Sequence, residues 1–469
     1  MTAVSLRARA GADGRALYID TAGRFFRSDE ALLDRWRQDA LVETERAALV
    51  ERGVVIELEG GLSHLAALYG EARRSSSVER LDYLILVPTL RCNLSCSYCQ
   101  VSRADERAQG YDWSDATLEA VLTLLRGLDT PSIKIEFQGG EPTLRLDLIE
   151  AVIAACDRFE RADFVICTNL ATLDEATLQL LGRKNLHVST SLDGPMNIHQ
   201  RQRTLTSIAT DTFAANLATI IECYGPDKVS ALPTIDPRDP PAIDSLIDAF
   251  VERGLHQIFL RPINYQGFAR KRHSHARDVE QAWLSYQTQF MRALIVRNWA
   301  DRSRVLEESY FSIILRRIFQ PGHDRHVDLR NPNTVGTDYI VVDYDGAVYP
   351  TDEARMLTRS GVIDLRIGDV INGWDSEARK VINAHCDNRD DPTCAACAYQ
   401  PYCGRDVIDD LARYGTIDLP REETAFCQRH LSLFDLAFDL IYDPDPAVQY
   451  SLRRWLKVRG DNIVLGDEL

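Results

Sequence analysis

The sequence predicts an α/β fold built on six βα units with a parallel sheet, an open barrel of the (β/α)6 type, preceded by a small N-terminal module and followed by a cysteine-rich C-terminal extension. Three observations carry this. Short β-rich runs alternate with amphipathic stretches of helical period through the middle of the chain, predicted strand ends carry Gly-Gly-Glu-Pro and Leu-Asp-Gly-Pro, and thiols concentrate around 92–99 and 394–427. Six strands do not close an eight-stranded barrel, so a lateral cleft wide enough for a peptide is expected.

In chain order, residues 1–78 read as a separate module. A hairpin over 16–26 turns at Ala22-Gly23, helices follow at 28–39 and 42–52, and then an apolar run at 54–58. This is a winged-helix-like pattern that either captures a leader peptide or caps the barrel, with Arg73-Arg-Ser-Ser-Ser77 as its linker. The barrel core spans 79–265. Its strands are predicted at 83–88, 133–138, 164–168, 186–191, 229–235 and 257–261, with helices at 115–128, 146–159, 175–181, 212–224 and 242–253. Residues 266–330 form a charged helical bridge whose basic tract, 270–277, holds His273 and His275; with no acidic or thiol partner at ligand spacing, these read as a solvated loop or helix start. The second cysteine set falls in 331–445, where Asp345-Gly346 marks a hairpin and 431–441 a helix. A tail, 446–469, ends the chain.

Composition narrows the function. The 469 residues are 45% hydrophobic, enough for a large core, and 54 basic against 70 acidic residues give a net charge of -16, which argues against a nucleic-acid partner. No run of eighteen apolar residues offers a membrane span, and residues 1–10 lack the apolar core of a signal peptide. A cytoplasmic protein is expected, in which eleven cysteines serve as ligands or buried thiols.

Cys92-Asn-Leu-Ser-Cys96-Ser-Tyr-Cys99 places three soft ligands on one short loop, a set that leaves one iron of a four-iron cluster open. Gln138-Gly139-Gly140-Glu141-Pro142 and Ser189-Thr-Ser191-Leu-Asp193-Gly194-Pro195 follow, at strand ends where α/β sheets place ligands. In this order and at this separation the three motifs resemble the radical S-adenosylmethionine (SAM) superfamily. The resemblance implies a [4Fe-4S] cluster on Cys92, Cys96 and Cys99 whose open iron chelates SAM, reductive cleavage to a 5′-deoxyadenosyl radical, and an electron donor of flavodoxin or ferredoxin type. It also implies that Tyr98 contacts adenine, that Gly139, Gly140 and Glu141 lie along the methionine moiety, and that Ser191 and Arg203 engage its carboxylate and the ribose. The plainer alternatives are packing for Tyr98, a strand-end hydroxyl for Ser191 and a solvated helix charge for Arg203.

Cys394, Cys397, Cys403 and Cys427 form C-x2-C-x5-C-x23-C, a complete shell for zinc or for a four-iron cluster; spacing leaves both open. The pattern resembles the SPASM extension of radical SAM enzymes, which implies one auxiliary [4Fe-4S] cluster. It departs in two places: Val407 stands where a fourth nearby cysteine is usual, and Thr351, after the hairpin, where relatives carry another. A first auxiliary cluster is therefore read as lost. Asp352, next to Thr351, matches a substrate-deprotonating aspartate of sulfatase-maturing relatives, or is an exposed turn carboxylate. Cys386 either replaces one of the four ligands or stays free; Cys156, Cys167 and Cys223 are read as packed thiols.

Val87-Pro-Thr-Leu-Arg-Cys-Asn-Leu-Ser-Cys96, Tyr399-Gln-Pro-Tyr-Cys403-Gly404 and the single retained auxiliary set look most like His-Xaa-Ser system radical SAM maturases. A ribosomally made His-Xaa-Ser peptide is the implied substrate, with a crosslink as one form of the modification and a partner maturase alongside. Formylglycine formation in a sulfatase and a non-enzymatic zinc scaffold are the alternatives.

Overall fold

Alternating apolar residues on adjacent runs build a sheet, and in this chain one sheet organises most of the molecule. The computed structural model describes residues 2–3, 5–11, 13–56, 68–72, 80–264, 266–273, 280–320, 329–374, 376–458 and 465–466. The linker expected at 73–77 and His275 lie outside these.

An N-terminal antiparallel sheet joins β1 (Leu6–Ala10), β2 (Arg15–Asp20) and β3 (Phe25–Asp29), with Gly23 turning at φ 72°. Helices α1 (Leu32–Arg37) and α2 (Glu43–Glu51) cover one face, where Tyr18, Phe26, Leu32 and Leu49 make a small core. Leu17 and Ile19, on the other face of β2, join the main core instead. The sheet also docks on the C-terminal part: the Phe25 ring lies 5.0 Å from Phe438 and 5.7 Å from Phe319, and the Tyr402 hydroxyl donates to the Gly23 carbonyl at 2.8 Å.

The six strands read from the sequence are present and stand side by side in chain order: β4 (Tyr83–Thr89), β5 (Ser132–Gly139), β6 (Arg161–Cys167), β7 (Leu186–Ser191), β8 (Val229–Leu232) and β9 (Gln257–Ile258). The parallel sheet nonetheless exceeds six strands. β10 (Glu307–Glu308) adds beyond β9, and β11 (Tyr339–Val342) pairs parallel to β4, Tyr339 opposite Tyr83. β12 (Ala347–Tyr349) then turns back antiparallel through Gly346 at φ 84°. The hairpin assigned to a separate C-terminal extension is thus part of the central sheet, which runs on past it through Gly368–Asp369 and Gly373–Trp374, and its Tyr339 and Val341 complete the face that Ile85 and Val87 leave open.

Around the sheet lie α3 (Asp115–Gly127), α4 (Leu146–Ala155), α5 (Glu175–Leu181), α6 (Ser207–Tyr224) and α7 (Ile243–Val251). Helix α6 starts five residues before the predicted 212 because Thr206 caps it, accepting from Ala209 N–H at 3.2 Å. The bridge holds α8 (Glu280–Ala300) and α9 (Ser309–Phe319); α10 (Asp352–Arg359), α11 (Val407–Tyr414) and α12 (Ala425–Ile441) follow. The predicted tail is a correction: α13 (Pro446–Trp455) buries Val448, Leu452 and Trp455 at helical spacing, and the Trp455 indole donates to the Leu306 carbonyl at 3.2 Å. Among the described residues no helix is long and apolar enough to cross a membrane.

Candidate functional site

The C-terminal ends of β4 to β8 open onto a cavity of about 520 Å³ whose lining includes Cys92, Cys96, Tyr98, Cys99, Gly139, Gly140, Ser191, Arg203 and Asp352. Strand β4 runs directly into the cysteine loop, so the three thiols sit over one sheet edge. Cys92 is buried and takes contacts from Leu94 N at 3.5 Å and Asn169 Nδ2 at 3.6 Å. Burial, with the Glu141 carboxylate nearby, pushes the Cys92 thiol up to about 12; burial raises Cys96 as well, against the pull of Arg203. Such thiols stay protonated until a cation compensates them.

Among the described residues no three or more His, Cys, Asp or Glu side chains converge on a site for a single metal ion. A four-iron cluster makes a different demand, one thiolate per iron, which a spread set of soft donors satisfies. The donor chemistry at 92, 96 and 99 fits that group.

Tyr98 is a strut. Its hydroxyl meets both Asp193 carboxylate oxygens, at 2.8 and 2.7 Å, and receives Arg203 Nη1 at 2.9 Å. Asp193 also accepts Thr234 N–H at 3.0 Å, and Ser97 N–H donates to the Gln202 carbonyl at 2.8 Å, tying the cysteine loop to the segment that carries Arg203. Burial raises the Asp193 carboxyl despite these partners. Burial works against the Arg203 cation too, yet Cys96, Tyr98 and Asp193 outweigh it and hold the guanidinium well above its ordinary value. Arg203 is therefore buried and paired, not the solvated helix charge of the plainer reading. Asp193 stood in the sequence motif with no role; its signal was a carboxylate in an otherwise apolar strand-end turn.

The paired glycines permit a close backbone crossing. Gly139 has φ 121°, and a Cβ on Gly140 would lie 2.2 Å from the Arg91 carbonyl and 2.4 Å from that of Leu90. Glu141 departs from its expected place along a ligand: it is 1% exposed, and its carboxylate accepts from Asn169 N–H at 2.7 Å, Thr143 N–H at 3.2 Å and Thr143 Oγ1 at 2.7 Å. Asn169 in turn holds Asn93 at 2.8 Å, so Glu141 braces the Cys92 loop from behind.

The cavity's other wall was not read from the sequence. Glu136 accepts from the Tyr83 hydroxyl and from Gln138 Nε2, both at 2.6 Å, and Cys167 Sγ lies 3.4 Å from its Oε1. Cys167 thus lines the cavity instead of packing in the core, because Phe164 and Ile166 take the opposite face of β6. Of the other thiols read as packed, Cys156 is buried and Cys223 is exposed. In the same lining, His430 Nδ1 bonds the Phe426 carbonyl at 2.7 Å, which makes it the donor and leaves Nε2 to accept the Tyr310 hydroxyl at 2.6 Å. Asp352 is 7% exposed, not an exposed turn carboxylate. It opens α10, which Thr351 caps by accepting from Ala354 N–H at 3.0 Å, and it pairs with the fully buried Arg355 at 2.7 Å.

The second thiol set lies apart from this lining. Cys394 lies within a short helical turn (Pro392–Ala396) that Cys397 ends, Cys403 closes a turn onto Tyr399 O at 3.0 Å, and Cys427 sits in the first turn of α12, its N–H on Thr424 Oγ1 at 3.2 Å. Burial pushes Cys394 up to about 12 and Cys427 to about 11, and the four thiols lie within one another's fields. Their chemistry fits a cluster on the same ground as the first set. Val407 packs with Leu357 and Ala412 in a small apolar core. Cys386 is buried elsewhere, its carbonyl accepting Asn333 N–H at 3.0 Å, among Asp387, Asp390 and Arg405.

Residues 86–249 match the model of the Radical SAM superfamily. An uncharacterized protein of Methanocaldococcus jannaschii is 32% identical over 120 residues, 25% of this chain and 40% of its own length. Fe-coproporphyrin III synthase of Methanosarcina barkeri is 24% identical over 358 residues, 70% of this chain and 84% of the synthase. The fold is shared with the solved structure of native anSMEcpe with bound AdoMet and Cp18Cys peptide, at TM-score 0.59 and 18% identity, covering 81% of this chain and 100% of that one.

Proposed function

We propose that this chain, whose residues 86–249 are a radical SAM superfamily domain, is a radical SAM enzyme that modifies a ribosomally made peptide of the His-Xaa-Ser type. The observation that carries the proposal is one cavity lined by the three-thiol loop, Gly139-Gly140, Ser191 and the Tyr98–Arg203 pair. Cys92, Cys96 and Cys99 would hold a four-iron cluster, which would supply the electron for reductive cleavage of SAM. The chain's own residues place and shield. The Gly139-Gly140 crossing leaves room beside the loop, Arg203 brings a buried cation suited to a carboxylate, and Asp193 holds Tyr98 and Arg203 in register.

Cys394, Cys397, Cys403 and Cys427 hold an auxiliary cluster in this reading. Asp352, or the Tyr310–His430 pair, stands at the cavity wall to take a substrate proton. A flavodoxin- or ferredoxin-type donor, a cytoplasmic setting and a partner maturase complete the proposal. Formylglycine formation draws on a 30% identical stretch of 131 residues in the cysteine-type anaerobic sulfatase-maturating enzyme of Clostridium perfringens, 26% of this chain and 35% of that one. Thr351, engaged as a helix cap where those enzymes carry a cysteine, weighs against it.

Anaerobic reconstitution tests the core of the proposal: roughly eight irons per chain, four per cluster, with 5′-deoxyadenosine released from SAM. Zinc without SAM turnover overturns it. Co-expression with a His-Xaa-Ser peptide tests the substrate; a loss of two hydrogens by mass spectrometry is expected, and an unmodified peptide removes that assignment.

A further inference from the structure

Two arginines from distant parts of the chain meet at the second thiol set. Arg7, on β1 of the N-terminal sheet, sends Nε to the Ala395 carbonyl at 2.7 Å, between Cys394 and Cys397, and lies in the field of the Cys397 thiol. Arg421 is 2% exposed, pairs with Asp410, and lies in the fields of Cys394 and Cys427. Among the described residues each keeps one buried donor without an acceptor: Nη1 of Arg7 and Nε of Arg421. An orphaned guanidinium N–H in a buried place is costly unless something accepts it. Four thiolates and the sulfides of a cluster are acceptors, and hydrogen bonds to cluster sulfurs set reduction potential.

We propose that Arg7 and Arg421 donate N–H···S hydrogen bonds to the auxiliary cluster and raise its reduction potential, so that the N-terminal sheet is an outer wall of that centre. The inference rests on the auxiliary-cluster reading above. Arg7 and Arg421 are positioning residues in this scheme; the thiolates alone bind iron. The sheet's docking supplies the necessary rigidity: Arg9 forks onto Asp435 at 3.0 and 2.7 Å, and Asp435 also accepts the Tyr399 hydroxyl at 2.6 Å.

The test uses the full chain with Cys92, Cys96 and Cys99 changed to Ala, so that only the auxiliary cluster is loaded. In redox titrations followed by electron paramagnetic resonance, Arg7→Gln and Arg421→Gln are each expected to lower the reduced-to-oxidised ratio about tenfold at fixed potential, about 59 mV for a one-electron couple. Arg27→Gln is the control, since Arg27 docks the same sheet through Asp439 at 3.8 Å and the Tyr442 ring. An equal shift in Arg27→Gln, or none in the Arg7 and Arg421 variants, overturns the inference. Should a variant fail to fold, the unvaried arginines labelled with nitrogen-15 decide: a hyperfine coupling to the reduced cluster supports the hydrogen bonds, and its absence overturns them. If the background chain takes up no iron, the auxiliary-cluster reading itself falls.

Discussion

The two thiol sets solve opposite problems with the same side chain. Cys92, Cys96 and Cys99 line a cavity beside a glycine crossing, a buried arginine and a strand-end serine, so the protein leaves room at that site. Cys394, Cys397, Cys403 and Cys427, each partly exposed, lie off that cavity: Arg7 binds the backbone between the first two, and Arg317 donates to the Tyr402 carbonyl at 2.7 Å beside the third. The difference teaches that the sets are told apart by the space beside them and not by the burial of the thiols: three border a cavity, and four lie off it with arginines on the neighbouring backbone.

Breaking each set in turn gives the largest expected contrast. Cys92→Ala is expected to bring SAM cleavage to background while roughly four irons remain. Cys394→Ala is expected to lose roughly four irons, retain part of the cleavage and lose peptide modification. Full cleavage by Cys92→Ala would abolish the distinction. Next in size is the glycine crossing: Gly140→Ala drives a Cβ against two carbonyls and should cost roughly 1–3 kcal/mol of stability in denaturant titrations, together with SAM binding. A variant as stable as the parent would show that the crossing relaxes.

Protonation sharpens the comparison further. Burial holds Cys92 and Cys394 near about 12 and Cys427 near about 11, above an ordinary value of 9.0. A thiol raised by folding stabilises the fold fully below its unfolded value and loses that contribution as pH climbs through the folded one. Cluster-free protein should therefore melt at falling temperature above pH 9.0. Loaded protein should show the reverse slope, losing stability as pH falls, because its ligands are thiolates and assembly releases protons. Parallel melting curves for the two forms would refute this.

Local chemistry made the six central strands and both cysteine sets legible. What escaped depends on distant partners. A two-residue strand, Glu307–Glu308, carries no periodicity; it exists because Glu308, buried and pushed up to about 7, accepts N–H groups from Leu260 at 2.9 Å and Phe311 at 2.6 Å. The Asp345-Gly346 hairpin was readable, its pairing with Tyr83 was not, since a parallel partner hundreds of residues away leaves no local mark. Tyr310 and His430, 120 positions apart, are also too remote for either to mark the other in sequence. Cys167 is a different case: the strand's period of two already put it opposite Phe164 and Ile166, facing the same side as Val165.

The most discriminating effect concerns Asp352, which borders the open site and shares Arg355 with Asp343. As proton acceptor, Asp352 must lose its function in Asp352→Asn, which preserves shape and an oxygen for Arg355 but removes the basic carboxylate. Peptide turnover is then expected to fall about a hundredfold while SAM cleavage persists. Asp352→Ala goes further, since Arg355 is 0% exposed and would keep only Asp343, at 3.6 Å, so a stability loss of about 3 kcal/mol is expected in addition. If Asp352→Asn turns over like the parent and only Asp352→Ala is destabilised, the carboxylate belongs to the scaffold of α10. The proton then falls to the Tyr310–His430 pair in the same cavity lining, which Tyr310→Phe would expose by the same assay.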